Sequence, residues 1–95
     1  MIKRIFKYEI LAADSFVLEM PKGAELLTVQ ERYGKPQLWA LVDPDAKKES
    51  RYFLLRGTGH PIRYAPGTDY KYINSFQLHE GALVFHLFED LRGKI

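Results

Sequence analysis

Cysteine is absent from the 95 residues. Disulfides and thiolate metal sites are therefore excluded, and a reducing compartment is compatible with the chain. A dominant charge is missing too: fourteen Lys and Arg face twelve Asp and Glu, a formal net charge of +2. So weak a field steers nothing strongly and gives no specific nucleic acid signal. No run approaches the ~18 apolar residues of a membrane span, so no membrane partner is expected. The opening, Met1-Ile2-Lys3-Arg4-Ile5-Phe6-Lys7, begins with a basic cluster, but Lys7 and Glu9 interrupt the apolar residues after it and leave no signal-peptide core. Helical patterning is scarce: no segment of ten or more residues keeps a 3.6-residue apolar stripe. Internal repeats and low-complexity stretches are absent as well.

Apolar residues make up 46% of the chain, charged residues 27% and aromatics 14%. That is an ordinary globular balance with a surplus of rings, and wide rings pack well on a pleated surface. The length suits one domain, taken as 1–95, burying about two-thirds of the surface of its unfolded chain. Such a domain holds one core and leaves little room for a deep enclosed active site.

Periods of two recur along the chain. In 2–11, Ile2, Phe6, Tyr8 and Ile10 share one parity and Lys3, Lys7 and Glu9 the other. In 15–20, Phe16, Leu18 and Met20 oppose Ser15, Val17 and Glu19; Pro21-Lys22-Gly23 then ends the run. In 24–33, Leu27 and Val29 are expected on one face, Thr28 and Gln30 on the other, with a hairpin turn at Tyr33-Gly34-Lys35-Pro36. The run 38–42 is apolar on both parities and stops at Asp43-Pro44-Asp45; residues 46–50 are expected to form a solvated loop or one helical turn. Strands are expected over 51–56 and 70–78, separated by an irregular stretch with turn signals at Gly57–Pro61 and Pro66-Gly67. After His79-Glu80-Gly81 comes 82–88, again nearly continuous apolar, and then a charged tail that frays or adds a short helical turn. The pattern predicts an all-β, small sandwich or barrel-like antiparallel fold of about seven strands. The runs 38–42 and 83–88 are expected to be central strands, each paired with the strand before it. Apolar on both faces, they need two stacked layers or a partner subunit.

Candidate chemistry is thin. Arg56-Gly57-Thr58-Gly59-His60 could converge backbone amides on an anion, with a charge from Arg56 and a hydroxyl from Thr58. It lacks the strand-to-helix context of a phosphate loop, and the same residues also read as a tight turn. The three histidines, His60, His79 and His86, have no metal-binding spacing, so no metal and no cofactor is expected. Ser15, Ser50 and Ser75 sit in no nucleophile elbow. The carboxylate pairs Asp43/Asp45 and Glu89/Asp90 read as a turn and a solvated strand end, so no catalytic residues are assigned. Trp39 is either core or an interface anchor, and so are Phe85 and Phe88. With so many rings in a short chain, some aromatic surface is expected to meet a partner, often an identical subunit.

Five blocks carry a resemblance: Ile5–Tyr8, Met20–Ala24, Leu38–Pro44, Gly57–Ile62 and Gly81–Glu89. In these the chain resembles a family of short, mostly bacteriophage-encoded proteins of unknown function, over nearly its whole length and in the expected order. The resemblance implies expression in an infected or lysogenic bacterial cell, hence a cytoplasmic setting in the host, and favours an accessory role acting on host components. It brings no catalytic residues. The leading expectation is thus a protein-interaction module with a host protein as partner, and a homo-oligomer. The alternative is an oligomeric module that sequesters a small anionic ligand such as a nucleotide through Arg56–His60. An enzyme and a structural virion component complete the field.

Overall fold

The computed structural model describes residues 1–10 and 13–92. Among these residues seven strands form: β1 (Arg4–Glu9), β2 (Ser15–Pro21), β3 (Glu25–Arg32), β4 (Lys35–Val42), β5 (Lys48–Gly57), β6 (Tyr70–Leu78) and β7 (Leu83–Asp90). Among the described residues there is no helix, and so none long and apolar enough to cross a membrane. A three-stranded sheet, β1-β4-β3, packs on a four-stranded sheet, β2-β5-β7-β6, and every pairing is antiparallel. The molecule is only 16 Å thick in its short dimension, the depth of two layers spaced about 10 Å apart plus their outer side chains. The fold is a small all-β sandwich.

The two apolar runs occupy interior strands, and each pairs with the strand before it: β4 with β3, β7 with β6. Their inward side chains, Leu38, Ala40, Val42 and Leu87, meet Met20, Val29, Phe53 and Phe76 in one continuous core. Phe16 stacks on Phe53 at 5.3 Å and Phe76 on Phe85 at 5.8 Å.

Shelter for the outer face of β7 comes from an unexpected source. β5 and β6 both pair antiparallel with β7, so they run parallel to each other, and no hairpin can join them. Residues 58–69 must return across β7 along the outer face. This strap meets the sheet through Thr58, which reaches His86, and through Tyr64, whose ring lies 5.2 Å from Tyr70. Tyr70 and Tyr72 in turn pack on Phe88. Leu54, on the outer face of β5, is buried.

Four expectations need correction. β1 is shorter than 2–11; Met1 and Ile2 are exposed. Residues 48–50 are strand, not loop or helical turn: Glu49 takes the Gly23 amide and Ser50 donates to Glu19, so polar side chains hold the start of β5 against β2 and its turn. Leu27 and Val29 do not share a face. The register slips between Leu26 and Thr28, which leaves Leu27 outside at 44% exposure while Leu26 packs on the core. A second slip lies between Tyr72 and Asn74, and the Asn74 amide donates to the Thr28 hydroxyl at 2.9 Å, closing the β3 edge against β6. β7 runs on to Asp90. Residues 11–12 of the first connection and 93–95 of the tail, where fraying was expected, lie outside the described residues.

Candidate functional site

Three connections gather at one end of the sandwich. The first is a two-residue hairpin, Tyr33-Gly34, with φ of 53° and 79°. Positive φ at both central residues makes a type I′ turn, whose twist suits a two-residue β-hairpin. The Gly34 amide donates to Glu31 at 2.7 Å, and Tyr33 stands 89% exposed with the Arg32 guanidinium 5.5 Å from its ring. The second is the β6–β7 turn, where His79 and Glu80 take φ of 53° and 57°. The Gly81 amide returns to the Leu78 carbonyl and the Ala82 amide to that of His79. His is among the non-glycine residues that enter this region more readily, Glu is not, and the left-handed conformation costs Glu80 roughly 1 kcal/mol or more.

Between these turns a cleft of about 340 Å³ opens between the sheets. Ile10, Pro36, Leu55, Phe76, Leu78 and Phe85 line it, and Glu9, Lys35 and His79 stand at its rim. Lys35 Nζ lies 4.0 Å from Glu9, an exposed pair worth little energy.

The third connection is the start of the strap, the segment singled out as Arg56–His60. The His60 amide donates to the Gly57 carbonyl, and Gly59 at the third position has φ of 87°, the mark of a type II turn. A Cβ on Gly57 would sit 3.1 Å from the His60 ring, so an alanine there would make the exposed ring shift by a few tenths of an ångström. The Thr58 amide donates to Val84. Arg56 donates to three carbonyls, those of Pro61, Asp14 and Leu55, at 2.7–3.1 Å. Arg56 and the amides of Thr58 and His60 are thus engaged with backbone carbonyls, and the Thr58 hydroxyl with the His86 ring. Gly57, Thr58 and His60 do flank a second depression of about 300 Å³, which shares the Phe85 wall with the cleft. Trp39 lies apart from them, half-buried on the outer face of β4, with Lys7 Nζ 5.8 Å from its ring centroid.

Sequence reasoning missed a polar chain beneath the strap. His86 Nε2 meets the Thr58 hydroxyl at 2.7 Å, Nδ1 meets the Ser75 hydroxyl at 2.7 Å, and Ser75 meets the Tyr72 hydroxyl at 2.6 Å. Hydroxyls occupy both ring nitrogens, so no carboxylate orients the imidazole as a base-activated nucleophile requires. The chain ties strap, β7 and β6 together. Only the register, which sets Ser75 opposite His86, reveals it.

The opposite end is charged. Arg51 forms a two-pronged pair with Glu89, Nε to Oε2 at 2.6 Å and Nη2 to Oε1 at 2.9 Å, and its Nη1 donates to the Ala24 carbonyl at 2.6 Å. Both partners are largely buried, which corrects the expectation of a solvated strand end at Glu89: it faces the interior and is paired. The hydrogen bond to Glu89 raises the guanidinium above its ordinary range, against the opposing effect of burial. Among the described residues every buried side-chain polar atom has a partner, and no three His, Asp or Glu side chains converge as metal ligands.

Fold and site together define a compact β sandwich with an apolar, loop-ringed end. The chain belongs to DUF7352, a domain of unknown function, whose family model matches residues 1–94. Neither the curated proteins nor the solved structures give a match.

Proposed function

We propose that the protein is a small binding module that captures a protein partner at the loop-ringed end. One observation carries this reading. Two hairpin tips built on left-handed Tyr33, His79 and Glu80 flank an apolar cleft between the sheets. Loops clustered at one end of a rigid sandwich are a recurrent way to present a binding surface. An exposed Tyr braced by Arg has the composition of an interface anchor. The partner offers an apolar or aromatic side chain to the cleft, while Arg32, Lys35 and His79 meet its polar surroundings. The resemblance to phage-encoded proteins supplies the setting: an accessory factor in the cytoplasm of a bacterial host, acting on a host component. The alternative, sequestration of a nucleotide by Arg56–His60, draws less support from the geometry, because Arg56 and the amides of Thr58 and His60 already have partners.

Affinity capture from bacterial host lysate tests the proposal, with wild type beside Tyr33→Ala and a Tyr33→Ala/His79→Ala double variant. A host protein retained by wild type and lost from both variants is the expected result. Equal retention on all three, or no retained protein, overturns it. A melting-temperature shift with a nucleotide panel would favour the alternative.

A further inference from the structure

Each sheet has two edge strands, and they are not alike. β3 and β6 close on each other through Thr28 and Asn74. β1 carries Arg4, Lys7 and Glu9 within its six residues, with Lys3 just before it; such charges guard an open edge against stray pairing. β2, Ser-Phe-Val-Leu-Glu-Met-Pro, has one charge, Glu19, and no lysine or arginine. Its first five residues are also thinly covered. The facing sheet has three strands against four, so with β3 over β6 the four-stranded sheet outreaches it at β2. Phe16 and Leu18, which point inward, are accordingly only half-buried, and Val17 on the outer face is 51% exposed.

The backbone of β2 is ready for another strand. The Leu55 amide donates to the Asp14 carbonyl, and the register continues as Phe16↔Phe53 and Leu18↔Arg51. Even-numbered residues therefore direct their hydrogen-bonding groups at β5, and Ser15, Val17 and Glu19 turn theirs to the open edge.

We propose that this edge joins a second copy of the chain, β2 against β2 about a two-fold axis at Val17, into one eight-stranded sheet. The proposal goes beyond the partner-binding reading and uses a different surface. A two-fold perpendicular to the sheet keeps outer side chains opposite outer side chains, so only alternate registers are allowed. Centring on Glu19 sets two carboxylates face to face, and centring on Leu18 sets each Glu19 against Val17. Centring on Val17 puts Val17 against its own copy and each Glu19 carboxylate opposite a Ser15 hydroxyl. It is the register in which the single charge, already bonded to Ser50 within its own chain, faces a hydroxyl across the axis and the exposed valine faces an apolar neighbour. Seven residues of strand give a small interface, so the dimer is weak, monomeric below about 1 µM and dimeric above about 100 µM.

Sedimentation over that concentration range tests the proposal. The wild type should shift from monomer to dimer. Val17→Glu should remain monomeric throughout, and should melt with the wild type at concentrations where the wild type is itself monomeric, because the site is exposed. Ser15→Lys should tighten the dimer about tenfold by facing Glu19 across the axis, and Ser15→Lys/Glu19→Lys should abolish it. Because the chain has no native cysteine, Val17→Cys gives a clean second readout: mild oxidation should yield a covalent dimer. A wild type monomeric at all these concentrations, a dimer indifferent to Val17→Glu, or open-ended polymers in place of dimers would each overturn it.

Discussion

The two ends of the sandwich solve the same problem in opposite ways. Each must close the gap between the sheets. At the charged end, Arg51 ties β5 to Glu89 on β7 and to the Ala24 carbonyl on the turn into β3, so one guanidinium links both layers. At the loop-ringed end no such clamp spans the layers among the described residues; apolar walls line a cleft and the turns above it adopt costly conformations. One end is built to hold, the other to receive. A domain this small keeps only some 5–15 kcal/mol of net stability, so strain at one end needs an anchor at the other.

The sharpest way to break this comparison is to cut the clamp. Arg51→Met leaves Glu89 buried without its partner and should cost about 3–5 kcal/mol, a fall in Tm of more than about 12 °C for a domain of this size. Replacing both, Arg51→Met/Glu89→Leu, should recover much of that loss, because no lone charge remains inside. Urea unfolding of the three proteins measures it; a single-variant cost below about 1 kcal/mol would show that the pair holds nothing. The guanidinium is raised from an already high value, so its contribution persists through the whole neutral range and should not vary between pH 5 and 9.

The opposite outcome is expected at the cleft. His79→Asn/Glu80→Gly gives the β6–β7 turn residues that tolerate positive φ, and should stabilise the fold by about 1–2 kcal/mol while weakening capture of the partner. If stability rises and capture is unchanged, the strain serves no binding role. Smaller still is the effect of unpinning the strap. Thr58→Val and Ser75→Ala each remove one hydroxyl from His86 and should cost about 1 kcal/mol. The double variant should depart from additivity by at least about 0.5 kcal/mol, because both hydroxyls act through one ring. Strict additivity would mean that the imidazole does not join them.

Most of the fold was legible because alternation reports directly on burial. Phe16, Leu18 and Met20, or Phe6, Tyr8 and Ile10, face the core as their parity requires. The unbroken runs around Leu38 and Leu87 signalled interior strands for the same reason. Parity fails where a strand carries an extra residue, and nothing in Glu25–Arg32 marks Leu27 as that residue. The strap was legible as irregular but not as a cover, since its placement follows from which strands pair, a long-range fact. The site was less accessible. Gly57 and Gly59 read correctly as turn residues, yet whether Arg56 has room for an anion depends on the Asp14 carbonyl, 42 positions away. The cleft draws walls from five separate segments, and Ser75 meets His86 only through register.

The comparison also predicts how the ends respond to alkali. Tyr8 sits on the inner face of β1 toward the loop-ringed end, and burial alone raises its phenol above the ordinary value near 10. At the charged end a partner produces the shift; here the apolar surroundings do, by disfavouring the phenolate. A folded-state value above the unfolded one means that the unfolded chain releases its proton first. The contribution is therefore complete below pH 10 and is lost as pH rises through the folded value. Stability should thus decline between pH 10 and pH 11 in the wild type, and the decline should be shallower in Tyr8→Phe, which keeps the ring and removes the titrating group. Denaturant midpoints at pH 9, 10 and 11 would show it. Parallel declines in the two proteins would place the alkaline sensitivity elsewhere among the tyrosines.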